Sequence, residues 1–208
     1  MLSAAVLAHG VTGVGDSFSA FVRSGFLHMI TGWDHLLFIA GILLVAREVE
    51  RAMILLSVFA IGHSATLMTA TAAGWQINPG WVDTVIALSL AAIGLVSWLG
   101  PPARWRLFGA GVLLLGLVHG LGLASRLQEP ARAAHLTPAR VIAFNIGVEV
   151  AQLFAAAVAT LVGLLVRESM QRLMTWSLVW KVVHGALITV GLIGGAVLSA
   201  GTAFIRPV

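Results

Sequence analysis

The segment Gly25–Ala46 (GFLHMITGWDHLLFIAGILLVA) constrains this chain more than any other. It is long and apolar enough to cross a bilayer as a helix, yet its first half carries His28, Asp34 and His35. About 20 apolar residues suffice for a span. Ionisable groups at that depth are costly, and they face the protein interior or a hydrated cavity. A helix turns about 100° per residue, so His28 and His35, seven apart, point nearly the same way, with Asp34 beside them. The segment therefore predicts a polar face that other parts of the chain come to meet.

The rest of the chain agrees with a membrane environment. Of 208 residues, 59% are hydrophobic and only 10% charged, where soluble domains carry about 25%. Further apolar runs of spanning length follow the first, without the alternation of a membrane barrel. The expected fold is an all-α integral membrane protein, a compact bundle of about six transmembrane helices. Residues 25–200 form a single domain, 1–24 an N-terminal segment with room for a short interfacial helix, and 201–208 a tail. The net charge of +4 comes from basic residues spread over short loops. They read as topology signals, not as a nucleic-acid surface. There is no cysteine, so any metal site must use imidazole, carboxylate, amide or backbone oxygen.

In chain order, Val6-Leu7-Ala8 resembles the tail of a signal-peptidase site, which would make His9 a new N-terminus. The predicted spans are 25–46, 52–73, 81–99, 107–125, 139–166 and 175–200. Charged or turn-forming connections separate them, such as Arg47-Glu48-Val49-Glu50-Arg51 and Gly100-Pro101-Pro102. With the N-terminus outside, Arg47, Arg51, Arg104, Arg106, Arg167 and Arg172 fall in inner loops, the bias expected of a bacterial plasma-membrane protein. Short loops make sequential helices antiparallel.

That topology places the polar residues. His28, Asp34, His35, Asp83, His119, Asn145, Glu149 and Gln152 all fall toward the membrane face that bears the N-terminus, with His63 near mid-depth. Asn145, Glu149 and Gln152, at i, i+4 and i+7, make one stripe. The expected metal ligands are His28, Asp34, His35, His63, His119 and Glu149. Asp83, Asn145, Gln152 and Ser64 stand behind them to orient the ligands. Imidazole with carboxylate suits nickel, cobalt or zinc and does not choose among them. Plainer readings apply elsewhere. His184 serves as an interhelical hydrogen-bond partner, His135 is a solvated loop residue, Lys181 snorkels to the surface, and Asp83 can instead cap its helix or pair with an arginine.

Four motifs then resemble one family. His28-Met29-Ile30-Thr31-Gly32-Trp33-Asp34-His35 is similar to the signature of the HupE/UreJ membrane proteins. So are Gly62-His63-Ser64-Ala65-Thr66-Leu67, Val118-His119-Gly120-Leu121-Gly122-Leu123-Ala124 and Phe144-Asn145-Ile146-Gly147-Val148-Glu149-Val150-Ala151-Gln152. Met29 stands where the best-described members carry proline, and Asp83 where glutamate is expected. The resemblance implies a nickel or cobalt permease or a hydrogenase or urease accessory role. The residues by themselves leave a second function open, an intramembrane metal-dependent hydrolase with Glu149 or Asp34 as general base. A metal-binding accessory protein without turnover is a third. The expected partners are the lipid bilayer, a divalent transition metal ion (nickel, cobalt or zinc) and a second copy of the chain.

Overall fold

The computed structural model describes residues 17–128, 137–171 and 176–204. His135, the cleavage-site reading at residues 6–8 and the end of the tail lie outside them. The described residues form seven helices and no strand. These are α1 (Phe18–Thr31), α2 (Trp33–Ala46), α3 (Val49–Ala73), α4 (Pro79–Leu99), α5 (Trp105–Leu127), α6 (Pro138–Gln171) and α7 (Trp176–Phe204). The last five are each long and apolar enough to cross a membrane, and α1 with α2 makes a sixth span if taken together. The protein is an all-α, multi-pass membrane bundle.

The first span departs from expectation. It is not one helix from residue 25 to 46. α1 begins at Phe18, where Ser17 Oγ accepts the Ala20 N–H at 3.2 Å. It stops at Thr31, and α2 leaves at 66° to it. Gly32 alone makes the break, with an extended backbone (φ −74°, ψ 99°) that closes one helix and opens the next. Local bonds satisfy part of the exposed backbone. Gly32 N–H donates to His28 O at 3.1 Å, and Leu36 N–H donates to Gly32 O at 3.1 Å. The Thr31 hydroxyl donates to Leu27 O at 2.7 Å, and the His35 N–H donates to the Asp34 carboxylate at 3.0 Å. An acid in the first turn of α2 also suits the positive end of that helix.

α2 is the central helix. It packs against α1, α3, α4 and α6, and His35, Phe38, Ile39, Ile42, Val45 and Ala46 along it are buried. Around it stand three intimate pairs, α3 with α5, α4 with α7, and α1 with α6. Glycine sets the first of these. Gly116 and Gly120 lie one turn apart on α5, and a Cβ on either would run into the backbone oxygens of Phe59 and His63 on α3. In lipid there is little hydrophobic gain between helices, so close backbone approach supplies the packing. Register follows, with residue 59 beside 116 and residue 63 beside 120. α3 and α5 therefore run parallel, which puts His63 and His119 at the same depth.

The α3–α4 connection is tied to the end of α5. Ile77 N–H donates to Ser125 Oγ at 2.9 Å, and Gln128 Nε2 donates to Trp75 O at 3.0 Å. Gly74 (φ 68°) supplies the left-handed turn that ends α3.

The packing argument has a direct check. Gly116→Leu or Gly120→Leu forces α3 and α5 apart and is expected to cost about 1–3 kcal/mol or more. Gly111→Ala, where an added Cβ meets nothing within 4 Å, should be neutral or stabilise by up to about 1 kcal/mol. Thermal unfolding in detergent should separate the two positions. Equal melting temperatures would refute glycine-set packing.

Candidate metal site

Four histidines from four helices converge on the break. His28 ends α1, His35 opens α2, and His63 and His119 come from the α3–α5 pair. All four are buried, at 8%, 7%, 3% and 4% exposure. The His28 and His35 rings lie 5.1 Å apart between centroids, and His35 and His119 lie 5.8 Å apart. Phe59 touches both His119, edge-on at 4.9 Å, and His63, stacked at 6.2 Å. His28 and His35 do meet, but not because a continuous helix turns them to one face. The bend at Gly32 brings them together across two helices.

The hydrogen bonds fix what these rings present. His119 Nδ1 lies 3.0 Å from Leu115 O. A carbonyl only accepts, so the proton is on Nδ1 and the neutral ring keeps a bare lone pair on Nε2. That nitrogen is buried and has no hydrogen-bond partner. Metal-binding histidines share this arrangement, one nitrogen donating to a carbonyl or carboxylate and the other left to the ion. His35 Nδ1 sits 3.1 Å from Asp34 Oδ1. The contact is an ion-pair distance without the angle of a good hydrogen bond, and Asp34 spends the same oxygen on the His35 N–H. Both ring nitrogens of His63 are buried without a hydrogen-bond partner. Each such orphan costs about 1–3 kcal/mol. Three of them, on His63 and His119 from the packed α3–α5 pair, are the chemistry a ligand with vacant orbitals or protons to share would use.

The other predicted residues divide. Asn145 is buried beside Phe144, whose ring lies 5.6 Å from His28, and neither atom of its amide has a partner. Gln152 is buried but donates to Leu56 O at 3.1 Å, fastening α6 to α3. Ser64 is half-buried. Glu149 is exposed on α6 and outside the cluster. The stripe it shares with Asn145 and Gln152 is too wide, since Glu149 lies about 60° round the helix from Gln152. Asp83 does not back a histidine. It accepts two bonds of 2.6 Å from Arg126, joining the start of α4 to the end of α5. Asp34, Asp83 and Arg126 border one small cleft of about 30 Å³, room for one or two waters. His184 packs edge-on to Trp98 at 6.4 Å, far along the chain from the cluster.

Two residues were not foreseen. Phe38 and Phe59 close the cluster on the side toward the apolar core, with centroids 4.6 Å apart, and Phe38 lies 6.1 Å from His119. Their spacing held the signal. Phe59 is four residues before His63 and Phe38 three after His35, so each shares a helix face with a histidine. Among the described residues no three His, Asp or Glu side chains are already arranged around one ion position.

A model of the HupE / UreJ protein family matches residues 5–198, nearly the whole chain. The chain belongs to the HupE/UreJ family. No curated protein and no solved structure matches it. The family match covers both the break at Gly32 and all four converging histidines of this HupE/UreJ protein.

Asp83→Asn or Arg126→Met should each cost about 1–3 kcal/mol by breaking the half-buried Asp83–Arg126 ion pair. The double variant should recover part of that loss. Paired melting curves test this. A single variant as stable as the parent would mean that the pair contributes nothing to the fold.

Proposed function

We propose that this HupE/UreJ protein is a permease for a divalent transition metal ion of the nickel and cobalt kind. His28, His35, His63 and His119 form its transit site. The family is associated with nickel or cobalt uptake or accessory function. The observation that carries the reading is the unpartnered nitrogen set on His63 and His119. Imidazole nitrogens at that depth replace water around a borderline ion such as nickel, cobalt or zinc.

The ion is cargo, so the site must bind it and let it go. The four rings have to draw together around an ion, and that reorganisation weakens binding in the way transit requires. Asp34, on the cleft it shares with the Asp83–Arg126 pair, offers negative charge beside the cluster. In this reading that cleft is the approach to it. Phe38 and Phe59 close the far side, and their separation is the step that releases the ion. The break at Gly32 places the site on a discontinuous helix, as in other transporters, and in this reading the angle at the break changes as the ion passes. We take the N-terminus to be outside, with the cluster in the outer half.

The hydrolase reading has less to draw on. Its two candidate bases are Glu149, which is exposed, and Asp34, which is engaged with both the backbone and ring of His35.

Reconstituted vesicles test the proposal. Saturable uptake of nickel or cobalt is expected, reduced at least tenfold in His63→Ala and in His119→Ala. Tightly held metal with no uptake in the parent would favour an enzyme or a resident metal site instead. Gly32→Ala supplies a finer test. Its Cβ would meet the His35 imidazole and the Asp34 carboxylate, so the half-saturating concentration should rise several-fold while the protein remains folded. Unchanged uptake in Gly32→Ala would remove the break from the mechanism.

A further inference from the structure

The histidine cluster lies at one end of α2, and a feature of a different kind borders the other. A cavity of about 920 Å³ opens among α2, α4, α6 and α7. That is the size of a pocket for a substantial organic ligand. Its lining changes along its depth. Ala40, Leu43, Val162 and Val183 are apolar, whereas Arg47, Trp98 and His184 bring polarity. The hydroxyls of Ser97 and Thr160 are spent on carbonyls of their own helices. Glu48 is engaged by Arg51 at 3.3 Å. Arg47 is exposed at the mouth, and no ion pair involves it among the described residues.

Arg47 also breaks a backbone preference. It is the one non-glycine residue with positive φ (59°) among those described, at the cap of α2. Glycine suits that position best, yet the chain keeps a guanidinium there. The cap lies at the α2–α3 connection, where the span ends and the polar boundary of the bilayer begins. Leu43 and Ala40 lie one and two turns deeper. Trp98, edge-on to His184, is of the type that settles at headgroup level. The cavity thus has a cation and aromatic rings at its rim and hydrocarbon below. α6 and α7, which flank it, touch each other little, which leaves it open to the surrounding lipid.

We infer that this cavity binds an anionic phospholipid, its phosphate on Arg47 and an acyl chain between α6 and α7. Charge complementarity selects the headgroup, and the bilayer that the helices cross supplies the ligand. The site is independent of the metal reading, since it lies at the opposite end of α2.

The full chain purified in a mild nonionic detergent supplies the test, by native mass spectrometry and quantitative lipid extraction. Gly163 lines the cavity, and an added Cβ there meets nothing within 4 Å. Gly163→Phe therefore projects a ring into the cavity from a backbone position with room for a side chain. The parent should retain about one anionic phospholipid per chain, and Gly163→Phe at least tenfold less at an unchanged melting temperature. Arg47→Gly, which relieves the backbone, should lose the preference for anionic over zwitterionic lipid several-fold, and Arg47→Lys should keep most of it. Equal lipid retention in the parent and Gly163→Phe would overturn the site. So would retention of zwitterionic lipid alone, or a cysteine cross-link at Val162 showing that a second copy fills the cavity.

Discussion

A helix may break inside a membrane only where the freed backbone groups are kept from lipid. Everything distinctive in this bundle depends on meeting that condition at Gly32. The residue is buried, and four local hydrogen bonds from residues 27–36 take up backbone groups that the break exposes. Burial needs neighbours on all sides, and that places α2 at the centre of the bundle, with α1, α3, α4 and α6 around it. One of these neighbours, α3, carries His63, and α5, paired with α3, carries His119. A break that has to be covered and a site that has to be built from several helices are thus satisfied by one arrangement.

The spans were legible because lipid imposes a length and the charged connections mark the ends. Five of the six predicted spans match helices to within a few residues at most boundaries, as 81–99 does Pro79–Leu99. The sixth was misread at Gly32. Gly32 and Gly41, which remains inside α2, differ in their surroundings. Gly32 is followed in the first turn of α2 by Asp34, which suits the start of a helix, and lies against the His28 carbonyl and the side chains of Asp34 and His35, whereas Gly41 packs against Ile93 of α4. The polar residues follow the same rule. Depth could be read from sequence, and it grouped four histidines that do converge. Direction round a helix could be read only coarsely, which is why Glu149 was grouped with Gln152 although one is exposed and the other buried. Asp83 was read two ways, as support for a ligand and as an arginine partner. Only the fold brings Arg126, 43 residues later, against it.

The glycine contacts explain why the site tolerates unsatisfied nitrogens. An orphan imidazole would ordinarily turn toward a partner or draw in water. His63 cannot shift its backbone, because Gly120 is packed directly on it, and His119 is fixed by its bond to Leu115 O. Phe59 packs on both rings. The α3–α5 pair therefore acts as a rigid bracket that holds lone pairs in an apolar setting. On the opposite side, His28 and His35 ride on α1 and α2, which meet at Gly32, and α1 is itself packed backbone to backbone on α6, where a Cβ on Gly25 or Gly147 would run into Phe144 O or Val22 O. The cluster is thus framed by two glycine-packed pairs and the bend at Gly32.

In the proposed permease the bend bears on how an ion would cross. A site with all ligands fixed would either bind too tightly to release or exclude the ion altogether. A change in the angle between α1 and α2 at Gly32 would alter ligation without unpacking α3 from α5. The same motion would be felt at Phe38, one turn beyond His35 on α2, whose ring lies 4.6 Å from Phe59 on α3. In the proposed permease, ligand release and opening of the aromatic barrier would be two ends of one displacement of α2. An apolar inner half is then compatible with transport. A barrier that opens only as the ligands let go needs no polar groups of its own, and when closed its hydrocarbon keeps water and protons from following the ion.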